Sequence, residues 1–240
     1  MLSSADIKFV RSLSQKKFRD SSGLFVVEGE KMVAEALRSG FRVEKVYTVE
    51  EIGESAMARI SALSSPSPSL ALVHKSENTF APSGKGLYLA LDGIRDPGNL
   101  GTILRIADWY GIDAVFASPD TVDVYNPKVV QSTMGAIFRV KLCYTPIPDL
   151  CMEVRKGGGN VYGTFLDGEN IYNKALETGR DSAVMIVIGN ESNGISPRTA
   201  ACVSERLYLP PFPADTPGSE SLNAAVATAI TVAEFRRRVL

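Results

Sequence analysis

The hydrophobic period changes abruptly between Leu87 and Gly111, in the stretch LYLALDGIRDPGNLGTILRIADWYG. Leu87–Leu91 is a continuous apolar run of buried-strand length. Asp92, Gly93, Asp96, Pro97 and Gly98 interrupt it, and Asn99 then stands where a helix N-cap is expected. From Leu100 the apolar positions Leu100, Ile103, Leu104, Ala107 and Tyr110 recur at helical steps, which predicts a helix over Leu100–Tyr110 with Arg105 off the buried face. The same alternation continues to the C-terminus. Strands are predicted at Ala114–Ala117, Arg139–Cys143, Val161–Phe165, Ala183–Ile188 and Arg206–Leu209. Helices are predicted at Pro127–Thr133, Ile147–Lys156, Pro197–Val203 and Leu222–Arg238. Strands and helices in alternation imply an α/β domain, a mostly parallel sheet with helices on both faces.

The N-terminal third patterns differently. Ser3–Arg19 reads as one amphipathic helix with Ile7, Val10, Leu13 and Phe18 inward. Strands follow at Leu24–Val27, Phe41–Val49 and Leu70–His74, separated by helices ending near Ser39 and spanning Glu50–Leu63. The polar segment Asn78–Lys85, broken by Pro82 and Gly84, separates an N-terminal domain, 1–83, from a larger one, 84–240.

Composition narrows the function. A chain of 240 residues with 45% hydrophobic residues can bury a core without staples, and its three cysteines show no CxxC spacing. The net charge of −1 carries no global nucleic-acid signal. Locally, Lys8, Arg11, Lys16, Lys17 and Arg19 outnumber Asp6 and Asp20, and Lys16, Lys17 and Arg19 are the expected RNA-phosphate contacts. Met1–Ser22 is not patterned as a leader and no long apolar run occurs, so no membrane contact is expected and the cytoplasm is the expected compartment. With His74 as the single histidine, Ser-His catalysis and a metal site are not expected. GxGxxG after the first strand of the larger domain and GxxxxGK[ST] are both absent, which disfavours a dinucleotide site and a P-loop.

Three glycine-bearing loops follow strands and therefore emerge at one edge of a parallel sheet, where ligands bind. They are Gly93–Gly101, Gly189–Gly194 and the proline-rich Pro210–Asn223. Each combines exposed backbone with a few amides, carboxylates or hydroxyls, the mixture a nucleoside-like ligand requires.

The series Asn99-x5-Arg105, then Ile188-Gly189-Asn190-Glu191-x2-Gly194, then Ser221-Leu222-Asn223 before an alanine-rich helix resembles the three motifs of the SpoU/TrmH family, RNA ribose 2′-O-methyltransferases of the SPOUT class. Phe25-Val26-Val27-Glu28-Gly29-Glu30-Lys31 resembles the substrate-binding domain of members acting on ribosomal RNA, a smaller α/β domain of L30e-like fold. The resemblance implies a C-terminal trefoil knot, a homodimer, S-adenosyl-L-methionine as cofactor and RNA, in particular rRNA, as partner. It also implies a catalytic cluster of Asn99, Arg105, Glu191, Ser221 and Asn223. Thr164, Phe165, Gly189, Asn190, Leu209 and Leu222 would line the cofactor pocket. One departure is the long link from Leu209 to Ser221, in which Pro211 stands where the family usually has methionine.

Simpler roles exist for each residue taken alone. Asn99 and Ser221 are plausible helix caps. Arg105 could pair with Asp108, and Glu191 could be a charge favoured by a helix N-terminus. A non-catalytic RNA-binding protein of the same fold and a tRNA-directed enzyme are the alternatives at this point.

Overall fold

The computed structural model describes residues 2–76, 80–213 and 221–239, and the chain forms two compact units. The first comprises Met1–Glu77 together with Asp123–Arg139; the second comprises Asn78–Val122 and Val140–Leu240. A single division of the chain at residue 83 leaves out the inserted segment.

In the first unit, α1 (Ser4–Ser12) and α2 (Lys16–Ser22) precede β1 (Leu24–Glu28), α3 (Glu30–Arg38) and β2 (Val43–Thr48). Two short helices, α4 (Val49–Ile52) and α5 (Glu54–Ile60), lead to β3 (Ser69–His74). The sheet order is β1-β3-β2, and both pairings are antiparallel. Ile7, Val10 and Leu13 of the first helical stretch meet Met57, Ile60, Leu70 and Leu72 in one core. The inserted segment adds a helix, Pro127–Thr133, packed on β1, and a single 3-10 turn, Ala136–Phe138.

The expected single helix Ser3–Arg19 is two helices, and Arg19 explains the break. Its guanidinium donates to the Leu13 and Ser14 carbonyls at 2.9 Å each, satisfying carbonyls that lack helical partners where α1 ends. The same group pairs with Asp123 of the inserted segment at 2.6 Å. With 1% of its surface exposed, Arg19 cannot reach an RNA phosphate, which corrects that expectation. Lys16 pairs with Asp20 at 2.6 Å, and Lys17 lies over the Phe18 ring; both remain on the surface.

The second unit opens with β4 (Gly86–Asp92), α6 (Pro97–Trp109) and β5 (Ala114–Ala117). The inserted segment's helix is α7 in chain order. Then come β6 (Leu142–Tyr144), α8 (Ile147–Lys156), β7 (Asn160–Asn170) and β8 (Ala183–Gly189). Last are α9 (Pro197–Ala200), β9 (Glu205–Tyr208) and α10 (Ala224–Arg237). All pairings in the six-stranded sheet are parallel, in the order β6-β5-β4-β8-β7-β9. Alternate residues point to opposite faces. Tyr88, Ala90, Phe116, Met185 and Val187 pack with Leu150, Cys151 and Val154 of α8, while α6 and α10 contact each other and pack on β5 and β8. The strand expected at Arg139–Cys143 begins only at Leu142, because Arg139 is held in the first unit by an ion pair with Glu35. No helix among the described residues is long and apolar enough to cross a membrane.

Candidate functional site

α6 begins three residues earlier than its apolar period suggests. Asp96 is the N-cap, accepting from the Asn99 backbone N–H at 2.8 Å, and Pro97 occupies the first turn, where its missing N–H costs nothing. Asn99 is therefore inside the helix rather than capping it, and its side chain is free for other partners. The Asp-Pro pair at 96–97 is the signal in the sequence that could have revealed this.

Those partners come from the other two loops. Asn223 caps α10, its Oδ1 accepting from the Ala225 and Val226 N–H groups at 2.9 and 3.3 Å. The cap forces its Nδ2 outward, where it donates to Asn99 Oδ1 at 2.9 Å. Asn99 Nδ2 in turn donates to Glu191 Oε1 at 2.5 Å. The direction is dictated at both ends: a helix N-terminus offers only donors, and an ionised carboxylate only accepts. Donations run one way from α10 to Glu191, an arrangement in which hydrogen bonds polarise one another. Each amide retains one N–H with no partner in this chain of bonds.

The Gly189–Gly194 loop is tied down independently. Asn190 Oδ1 accepts from the Ser192 and Asn193 N–H groups, and Nδ2 donates to the Gly93 carbonyl at 2.7 Å. The backbones of Asn190 and Gly194 also exchange two 2.9 Å hydrogen bonds. A Cβ at Gly189 would stand 2.3 Å from the Gly194 backbone, so the loop closes only over a glycine. Asn190, expected at the cofactor, thus also builds the loop and links it to the one after β4. Asp92, which belongs to none of the three motifs, accepts from Ser196 N–H at 2.8 Å and anchors the far end of this turn.

The other expected residues divide into two groups. Thr164 and Phe165 lie in β7 beside the end of β8, with Thr164 Oγ1 donating to the Val187 carbonyl at 3.4 Å. The Arg206 guanidinium lies 3.5 Å from the centre of the Phe165 ring. Leu209 follows β9, and Leu222, 48% exposed, precedes the α10 cap. Of the link 210–220, residues 214–220 lie outside the described residues. Ser221 is exposed two residues before the cap Asn223. Arg105 is exposed and makes no hydrogen bond or ion pair among the described residues. Six helical positions from Asn99, its backbone lies about 9 Å along α6 and about 120° around it, and among the described residues no hydrogen bond joins it to the amide cluster. It shares a face with Trp109, one turn on, which is 84% exposed. Among the described residues no group of three or more metal-type ligands occurs.

Fold and site together define a parallel-sheet α/β protein with its functional loops joined at one edge of the sheet. A structure from Porphyromonas gingivalis assigned to the TrmH family of RNA methyltransferases superimposes with a TM-score of 0.88 at 39% identity, covering 99% of both chains. An AdoMet-bound rRNA methyltransferase from Sinorhizobium meliloti gives 0.88 at 27% identity, covering 100% of this chain and 98% of that one. The Bacillus subtilis 23S rRNA (guanosine(2553)-2'-O)-methyltransferase RlmP is 31% identical over 245 residues, 96% of this chain and 95% of the relative. The SpoU rRNA Methylase family model matches residues 86–233, and the MRM3-like substrate binding domain model matches residues 4–78. The chain belongs to the SpoU rRNA methylase family.

Proposed function

We infer that this protein methylates a ribose 2′-hydroxyl of ribosomal RNA, using S-adenosyl-L-methionine, in the cytoplasm. The observation that carries the reading is the one-way hydrogen-bond chain Asn223–Asn99–Glu191, which unites the three motifs in one cluster. Helix capping by itself requires no such connection.

The cofactor, when bound, supplies an electrophilic methyl group on a sulfonium that leaves readily. Leu209, Leu222 and the backbone at Gly189 would hold it. What remains for the protein is positioning, water exclusion and deprotonation of the hydroxyl. The spare N–H groups of Asn99 and Asn223 orient ribose oxygens, and Glu191 keeps both amides in a single rotamer. Arg105 suits bidentate contact with an RNA phosphate, since among the described residues no carboxylate pairs with its guanidinium.

A homodimer belongs to the same reading. Trp109 on α6 and Val226 on α10, 84% and 47% exposed, are the apolar surface a second copy would cover. Because Arg105 shares the Trp109 face, it would then serve the amide cluster of the partner copy. The trefoil knot is part of this reading too, supported by the packing of α10, the helix that follows edge strand β9 in sequence, against α6 and β8.

The test is methyl transfer from labelled S-adenosylmethionine to rRNA from a strain lacking this gene, with ribose-methylation mapping of that rRNA. Expected are one site lost in the deletion strain and restored by the enzyme, and loss of transfer in Arg105→Ala and Asn223→Ala. Mixing those two inactive variants should restore part of the activity if the site is shared between copies. Folded protein that does not bind the cofactor in a calorimetric titration, or that methylates only tRNA, would contradict the reading.

A further inference from the structure

The first unit carries a cleft of about 360 Å³ that no catalytic requirement explains. It is lined by Gly40, Phe41, Arg42, His74, Lys75, Ser76 and Phe138. Its charged lining is cationic: Arg42 and Lys75 stand beside the single histidine, and no carboxylate is among the lining residues. Its apolar lining is aromatic. The Phe41 and Phe138 rings meet edge to face at 5.3 Å, and Phe41 also meets Phe25, which packs on Tyr125 at 4.6 Å. Those contacts fix the rings before any ligand arrives. Cations beside immobilised rings are the combination that binds single-stranded nucleic acid, phosphate on one and base on the other.

We propose that this cleft is an RNA subsite of the substrate-binding unit, taking one unstacked nucleotide of the substrate: Arg42 and Lys75 hold its phosphodiester, and its base stacks on Phe138, whose ring Phe41 holds in place edge to face. The proposal rests on the reading of the protein as an RNA methyltransferase and adds where the first unit grips its substrate.

The carboxylate nearest Arg42 favours exchange with a phosphate. Arg42 pairs with Glu44 only at 3.5 Å, both side chains well exposed, a geometry of small net stabilisation. His74 Nε2 lies 2.8 Å from the same Glu44 oxygen and shares it with Arg42. Lys75 is held by Asp20 at 2.7 Å and lies over the Tyr125 ring. Asp20 also binds Lys16, and these two hydrogen bonds, Lys16 first, hold its carboxyl down at about 2. The basic helix α2 is thus joined to the cleft through Lys16–Asp20–Lys75, an extended track along which an RNA backbone could continue. Phe138 comes from the inserted segment, so the cleft is complete only when the chain between β5 and β6 packs into the first unit.

The experiment measures anisotropy of a short fluorescein-labelled single-stranded RNA with the full chain over a salt series, beside calorimetry with S-adenosylmethionine. Arg42→Glu, on an exposed side chain, should weaken RNA binding about tenfold and reduce the slope of log affinity against log salt by about 0.7 for each phosphate no longer neutralised. Phe138→Ala should weaken binding while leaving that slope unchanged, which separates stacking from charge. Both variants should bind S-adenosylmethionine as the parent does, and Arg42→Glu should raise the KM for rRNA with little change in kcat. Unchanged RNA affinity and slope in Arg42→Glu would overturn the subsite. So would guanosine monophosphate, or a phosphoserine peptide, binding the parent as tightly as the RNA does. If the parent fails to bind S-adenosylmethionine while RNA binding persists and responds to Arg42→Glu, the methyltransferase reading falls and the subsite stands.

Discussion

Asn99 shows how a residue's role depends on what its neighbours already do. Because Asp96 takes the cap, the Asn99 amide is released to join Asn223 to Glu191. Asn99→Ala should lower kcat on the order of 100-fold through loss of positioning. Asn99→Asp tests the direction of the chain, since it sets two carboxylates against each other and one of them must take up a proton. The protonated acid can donate to Glu191 and the ionised acid cannot. Its activity relative to the parent should therefore be higher at pH 6 than at pH 8, read from the ratio of the two pH–rate profiles; a flat ratio would sink the idea. Cys151 gives a second expectation at this scale. Burial pushes its thiol up to about 12, with Cys202 and Asp92 adding to the effect. In the folded protein the thiol stays protonated across the range where an unfolded thiol, with an ordinary pKa of about 8.5, ionises. The contribution of this group to stability is thus constant at lower pH and declines as pH rises above about 8.5. Under native conditions at pH 8, iodoacetamide should leave Cys151 unlabelled, as read by peptide mass spectrometry, and urea should expose it.

At the scale of elements, the apolar period predicted the body of α6 correctly, and the cap decided its start. Pattern reasoning locates helix interiors because burial forces the period; ends are determined by a few hydrogen bonds that leave no period. Asp96→Ala should cost about 1 kcal/mol in urea denaturation and, by loosening the first turn that carries Asn99, lower kcat with little effect on cofactor affinity. The break between α1 and α2 is a related case. The apolar pattern runs on through Leu13 and Phe18, and only the carbonyl contacts of Arg19 disclose that the helix stops between them. Gly53 divides the region expected as one helix over Glu50–Leu63 in the same way, with φ at 81°, outside the helical range.

At the scale of the whole molecule, the two units are not two consecutive lengths of sequence. Asp123–Arg139 leaves the order of the second unit's sheet to pack in the first, and the Arg19–Asp123 pair, almost wholly buried, is its polar attachment there. Removing one partner of a buried pair strands the other charge, so Arg19→Ala should destabilise the protein by about 3 kcal/mol or more. Asp123→Asn should cost less, since an amide oxygen still accepts from the guanidinium. Chemical denaturation of both variants distinguishes this structural role from RNA contact, which would alter binding and leave the unfolding midpoint unchanged. The fold class was legible in the sequence: alternating strands and helices read as a parallel α/β sheet, and the six parallel strands agree. The three loops were legible as motifs because their glycines, amides and carboxylate stand at sharp changes of hydrophobic period. The cleft of the first unit was not, because Phe41, His74 and Phe138 are far apart in sequence and share no period.

By itself the sequence determined the positions of most elements, the parallel architecture and the residues of the three loops, since burial and turn chemistry act over a few residues and leave a local pattern. Tertiary structure alone decided that Asn99 bridges Asn223 and Glu191, that Arg19 is buried, and that Asp123–Arg139 belongs with the first unit. Each of these depends on hydrogen bonds or packing between residues that only the folded chain brings within a few ångströms. No periodicity along the sequence encodes that proximity.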